Sequence, residues 1–161
     1  MPMPNDPNPI FMLRAIELAV ENVRSGRGGP FAAIIVRNGE IIGEGANSVT
    51  STNDPTAHGE INAIRDACRA LNAFTLKDCV IYSSCEPCPM CLAAIYWARI
   101  DAIYFSGDCA DAARAGFDDS FIYEEFRLHR DIRTIPSRQL LSERGWDSFQ
   151  IWIETPERTE Y

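Results

Sequence analysis

Apolar side chains return at helical spacing through Ile10, Leu13, Ile16, Leu18, Val20 and Val23, and Gly26 is a natural stop. That spacing predicts an amphipathic helix over 10–24. Ahead of it, 1–9 holds four prolines and no basic residue, and is expected to be a flexible arm. Two strand-like runs, 31–36 and 40–46, flank Asn38-Gly39, a strong short hairpin signal. After a polar loop over 47–53, Asp54-Pro55 has the form of an N-cap with proline in the first turn of a helix reaching about 71. A short buried strand is expected over 79–83, a second helix from Pro87 to about 99, and another strand over 102–106. Beyond Gly107 the signal weakens to a helix over 120–128, an extended stretch over 139–141 and an apolar terminal helix over 149–153. Helix and strand alternate after the hairpin, which predicts an α/β fold with a mixed sheet covered on both faces.

Composition narrows the partners. The chain has 161 residues and 18.0 kDa, enough for one domain with a real core. Fifteen basic against 23 acidic residues give a net charge of −8 and a pI near 4.7, which opposes binding to nucleic acid. The N-terminus lacks the charged start and apolar core of a signal peptide, and no apolar run approaches the ~20 residues that span a bilayer. Six cysteines, two of them candidate metal ligands, fit a reducing cytoplasm better than a disulfide scaffold.

The chemistry is concentrated in His58-Gly59-Glu60 and, after 26 intervening residues, Pro87-Cys88-Pro89-Met90-Cys91. His58, Cys88 and Cys91 offer one imidazole and two thiolates, and three protein ligands leave a fourth tetrahedral position on Zn2+ for water. Glu60 is then placed to shuttle protons. This H-x-E…P-C-x-x-C spacing is the signature of zinc-dependent nucleobase deaminases. On a helical wheel Glu60 falls about 200° from His58, so the metal must lie near a helix end for both to act together. Cys85 leaves a second arrangement open, a closed Cys3His structural site with Cys88, Cys91 and His58. Cys68, Cys79 and Cys109 have the character of small buried residues, and His129 stands in a charged, solvated segment. Phe31, Trp97 and Phe117 are candidates to stack on a flat heterocycle, with core packing as the alternative. Composition and spacing assign no role to Asn47, Asp118, Asp119 or Tyr161.

Several longer stretches carry a resemblance: Gly28-Gly29-Pro30-Phe31, Asn53-Asp54-Pro55-Thr56-Ala57-His58, Ser84-Cys85-Glu86-Pro87-Cys88-Pro89-Met90-Cys91 and Ile95-Tyr96-Trp97-Ala98-Arg99. Ala115-Gly116-Phe117-Asp118-Asp119-Ser120-Phe121-Ile122-Tyr123 and the closing Glu160-Tyr161 are more restricted. From about residue 10 to its end the chain resembles the bacterial guanine deaminases of the cytidine/deoxycytidylate deaminase superfamily. The resemblance implies a three-layer α/β/α, cytidine-deaminase-like fold around a five-stranded mixed sheet. It divides the chain into a deaminase domain over 10–145 and a C-terminal segment over 146–161 exchanged with the partner subunit of a homodimer. The implied activity is hydrolysis of guanine to xanthine and ammonia, with a zinc-activated hydroxide attacking C2 and Glu60 moving the protons. Among the implied contacts, Asn47 meets the purine, Asp119 accepts its ring N–H groups, and Tyr161 enters from the other subunit. Two rival readings share the zinc motif: a tRNA wobble adenosine deaminase, which the acidic charge opposes, and a non-catalytic zinc-stabilised binding module. One departure stands out, since the family usually has alanine where this chain has Gly59.

Overall fold

Helix α1 (Pro9–Arg24) opens on a proline whose ring pre-sets the helical φ, in a computed structural model that describes residues 7–161. Asn8 caps it by accepting from Ile10 N–H at 3.0 Å, so Pro9 belongs to the helix rather than to the expected arm, while 1–6 lie outside the described residues. The hairpin forms as expected. β1 (Ala32–Arg37) and β2 (Glu40–Ala46) are joined by Asn38 at φ 52 and Gly39 at φ 79, the left-handed pair that a tight hairpin turn requires.

β1 also pairs antiparallel with β3 (Cys79–Cys85), and β3 pairs parallel with β4 (Ala102–Gly107), giving the order β2-β1-β3-β4. The mixed sheet therefore has four strands among the described residues, one fewer than expected. No strand forms over 139–141, where Leu141 takes φ 50 and breaks any extended run. Between the strands lie α2 (Val49–Thr52), α3 (Gly59–Leu71), α4 (Pro89–Trp97) and, after β4, α5 (Cys109–Arg114).

Alternation along β1 builds the core on both faces of the sheet. Ala33 and Ile35 pack with Ala63 and Ala67 of α3, Ile95 of α4, and Leu76, Cys79 and Ile81. Ile34 and Val36 point the other way, against Ala15 of α1 with Val80, Tyr82 and Ala102. These are the three layers of an α/β/α domain. Each fully buried isoleucine (Ile34, Ile35, Ile81 and Ile95) contributes roughly 1.5–3 kcal/mol relative to exposure.

Because β1 runs against both neighbours, its start lies beside the ends of β2 and β3, with Ala32 opposite Ala46 and Ala33 opposite Ser83. The Ala32 N–H donates to Ser84 Oγ at 3.0 Å, fixing that end of the sheet. Ligand sites in α/β folds form at the carboxyl ends of strands, and β2 and β3 both finish here.

Contacts divide the chain into two units, one ending at Ser120 and the other Phe121–Tyr161. The second holds most of α6 (Ser120–Arg127), a 3-10 turn at Arg130–Ile132 and α7 (Asp147–Glu154). Within it Thr134 binds the Glu125 carboxylate through its N–H and its hydroxyl, both at 2.8 Å. None of its residues is buried. Among the described residues no helix is long and apolar enough to cross a membrane.

Candidate active site

The metal motif sits at two helix entrances. His58 is the N-cap of α3 with extended backbone (φ −71, ψ 159), and Cys88 is the N-cap of α4 in the same conformation (φ −63, ψ 167). Neither side chain caps its own helix, so imidazole and thiol are free to turn towards each other. The expected start of the first motif helix at Asp54 moves to Gly59. Asp54 instead accepts from the N–H and hydroxyl of Thr56 (2.8 and 2.7 Å), which closes a local turn. Since His58 precedes the first helical residue, the 200° separation from Glu60 does not arise, and both residues reach the same cavity.

His58 Nδ1 lies 3.5 Å from Cys88 Sγ and 3.5 Å from Cys91 Sγ, and the three donor atoms fall within 4.8 Å of one another. Tetrahedral zinc with bonds of about 2.3 Å to sulfur and about 2.0 Å to nitrogen holds S and N about 3.5 Å apart. The donor set therefore fits that ion. The hydrogen bond from Cys91 pulls Cys88 down to about 4 and pushes Cys91 up, and the Cys88 thiolate raises His58. Helix N-termini favour such a thiolate.

Cys85 does not join the cluster. Its thiol points at the Asp108 carbonyl at 3.7 Å, and burial raises it to about 11, so it stays protonated. The closed four-donor arrangement left open by the spacing is not what the chain forms. All six cysteines are free, and His129 is exposed beside Asp131 at 3.2 Å.

Glu60, only 6% exposed, stands against the donor set. Ser83 Oγ donates to its Oε1 and the Cys91 thiol to its Oε2, both at 3.4 Å. Burial raises its carboxyl. Gly59 has a steric reason to be glycine here. A Cβ at this position would lie 2.7 Å from Ala32 Cα and 3.1 Å from Phe31 O. The helix-propensity loss of about 1 kcal/mol against alanine is no larger than the about 1–3 kcal/mol cost of overpacking.

A cavity of about 540 Å³ opens above these groups, a size common for small-molecule sites. His58, Glu60 and Cys88 line it, together with Phe31, Asn47, Phe117 and Asp119. The rings of Phe31 and Phe117 meet edge to face, centroids 4.9 Å apart at 87°. Asn47 is held on both sides. Its N–H donates to Phe31 O at 2.8 Å, and its Oδ1 accepts from Gly29 N (3.4 Å) and Val49 N (3.3 Å). Of the two neighbouring aspartates, Asp118 accepts from Ser120 N at 2.9 Å, and the Ser120 contacts hold its carboxyl down. Burial, then the charge of Cys88, raises Asp119 instead.

Trp97 is placed elsewhere. It ends α4 at 67% exposure beside Ala93, Tyr96 and Arg99, and is not part of this cavity. Six residues past Cys91, nearly two helical turns, the chain has carried it beyond the metal end of α4. Tyr161 belongs to the C-terminal unit, where its ring stands edge-on to Trp152 at 6.4 Å.

The sequence reading missed two supports. Ser83 is a small polar residue at the last fully buried position of β3, and a hydroxyl following a buried run was its available signal. Glu86 accepts from Cys109 N (3.3 Å) and Cys109 Sγ (3.1 Å), and its own N–H donates to Gly107 O (2.8 Å), tying the metal loop to the segment that leads to Phe117 and Asp119. That contact lifts the Cys109 thiol to about 12.

Comparison with known proteins agrees with this geometry. Residues 7–107 match the cytidine and deoxycytidylate deaminase zinc-binding region. The guanine deaminase of Bacillus subtilis is 53% identical over 151 residues, covering 94% of this chain and 97% of its own. A crystal structure of guanine deaminase from that organism superposes with a TM-score of 0.94 at 51% identity, over 97% of this chain and 99% of that one. A tRNA-specific adenosine deaminase of Aquifex aeolicus is 49% identical over 77 residues, covering 48% of this chain and 51% of its own.

Proposed function

The chain belongs to the cytidine and deoxycytidylate deaminase family, and we propose that it is a zinc-dependent guanine deaminase converting guanine and water to xanthine and ammonia. The observation that carries this reading is a three-donor metal site with a buried carboxyl 3.4 Å from one ligand sulfur, inside a cavity walled by aromatic, amide and carboxylate groups. Zinc held by His58, Cys88 and Cys91 supplies the Lewis acidity that makes solvent a nucleophile near neutral pH. Glu60 takes the proton of the attacking water, delivers protons to the ring and to the exocyclic nitrogen, and so lets the C2–N bond break as C2 gains oxygen. Its burial helps, because a carboxyl raised from its ordinary range exchanges protons more readily near neutrality.

Recognition follows from what each wall has left to offer. Asn47 Oδ1 is already committed to two main-chain N–H groups, so its Nδ2 is the atom presented to an acceptor on the base. Asp119 accepts ring N–H donors, while Phe31 and Phe117 pack on the ring face. A base lacking those donors leaves a carboxylate unpaired, which sites of this kind reject strongly. Relatives acting on tRNA match over about half of this chain, and the net charge of −8 opposes an RNA stem.

An ammonia-release panel tests the assignment. Guanine is expected to be turned over far faster than adenine, cytosine or a tRNA anticodon hairpin; preference for the hairpin would overturn it. In the same assay KM for guanine rises as pH falls below neutrality. Asp119, with its raised pKa, loses its charge earlier on acidification than an ordinary carboxylate does.

The homodimer with exchanged segments over 146–161 is part of the same proposal. Its support is the C-terminal unit itself, in which Trp146, Phe149, Ile151 and Ile153 are all exposed and no residue is buried. Such apolar surface calls for a cover, and a second copy of the chain would bring Tyr161 to the neighbouring site. Mixing Glu60→Gln chains with Tyr161→Ala chains checks this. If each weakened chain repairs the other, activity rises towards about a quarter of wild type, the statistical share of intact sites in a two-fold dimer. Unchanged activity after exchange rules the arrangement out.

A further inference from the structure

Asn22 lies between Val20 and Val23 on α1, at 2% exposure. An amide so deeply buried is costly unless its hydrogen bonds are met. Its Nδ2 donates to two main-chain carbonyls, Gly29 at 2.9 Å and Asn47 at 2.8 Å. Both of those residues line the catalytic cavity, and the Gly29 N–H in turn donates to Asn47 Oδ1. Asn22, Gly29 and Asn47 therefore form a closed ring of hydrogen bonds. Gly28 lets that ring close: a Cβ there would lie 2.0 Å from Asn47 O and 3.0 Å from Asn22 Nδ2.

We infer that Asn22 is a positioning residue for the substrate, fixing the direction in which Asn47 presents its Nδ2 to the purine without itself touching the base. The inference rests on the reading of Asn47 as a purine contact. Asn22 acts at both ends of that residue. One bond holds the Asn47 carbonyl from behind, and the other holds the Gly29 carbonyl, one Cα away from the Gly29 N–H that orients the side chain. Serine at position 22 keeps a small polar group but cannot bridge two carbonyls at once.

In the zinc-loaded full-length enzyme, Asn22→Ser is expected to raise KM for guanine about tenfold, with kcat changed less than about threefold and zinc content unchanged. Asn47→Ala alone should raise KM at least as much. Adding Asn22→Ser to Asn47→Ala should then cost no more than about a further twofold, because the side chain being positioned is gone. A merely structural residue would show its full effect in both backgrounds, and that result overturns the inference. So does a KM near wild type in Asn22→Ser when Asn47→Ala is impaired. Asn47→Ala with an unchanged KM instead removes the purine contact, and the inference with it. If neither Asn22→Ser nor Asn22→Asp folds, Asn22 is a structural bolt and the positioning role is lost.

Discussion

Glu60→Gln abolishes ammonia release from guanine by about 10²–10⁴-fold while leaving zinc bound, because the amide keeps the shape of the carboxyl but cannot accept the proton of water. The surroundings favour retention of structure. Ser83 Oγ can still donate to an amide oxygen, and the amide nitrogen faces Cys91 sulfur, an acceptor once the metal has taken the thiol proton. Burial opposes the charged form of Glu60, so neutralising it does not destabilise the fold and is expected to leave Tm unchanged or higher. The joint outcome is diagnostic: metal analysis at one zinc per chain, an equal or raised melting temperature, and turnover near background. Turnover near that of the wild type would remove the proton-shuttle role. Glu60→Ala gives the same loss of activity with an added cavity beside Ser83, so only the glutamine variant separates chemistry from packing.

Chemistry carried by neighbours in sequence was legible, and contacts between distant segments were not. His58, Glu60, Cys88 and Cys91 declare themselves by spacing alone, since ligands on two adjacent helix entrances need no knowledge of the rest of the fold. The Asn38-Gly39 hairpin is legible for the same reason. Helix entry was misplaced where a side chain chose a different partner: Asp54 closes on Thr56 rather than capping a helix. That one-turn shift also explains how His58 and Glu60 act together despite their helical-wheel separation. Helix α5 escaped because it is short, although Asp108 and Asp111 exchange a capping box at its start. Trp97 lies away from the catalytic cavity; composition reports ring chemistry but not where a helix ends. Asn22, Ser83 and Glu86 each act across many residues of chain, and no local spacing encodes such pairs. For Asn47, Asp119 and Tyr161 the family resemblance supplied roles that the residues by themselves did not.

Removing one metal donor has an effect of similar size by a different route. Cys91→Ser replaces a thiolate with a weak, uncharged donor and leaves Cys88 and His58 to hold the ion, so zinc affinity falls by an expected 10³-fold or more, on the order of a lost ligand in a small zinc site. Activity falls with zinc occupancy, and Tm falls as well, since a ligand that binds only the folded state stabilises it by mass action. Cys85→Ser is the control, because its thiol faces the Asp108 carbonyl and stays protonated, so zinc and turnover should both be retained. The wild-type affinity carries a further signature. Before metal enters, Cys88 is already a thiolate with a pKa near 4, whereas Cys91 is raised and His58 is raised by its bond to Cys88. Binding must expel the Cys91 proton, and the His58 proton wherever it is held, so affinity rises with pH by roughly tenfold per unit for each proton released. Competition with a chelator at several pH values measures that slope. A flat profile would mean that neither Cys91 nor His58 gives up a proton to the metal, and zinc lost from Cys85→Ser as readily as from Cys91→Ser would mean a closed four-donor site, in which a hydrolytic role for the metal would not survive.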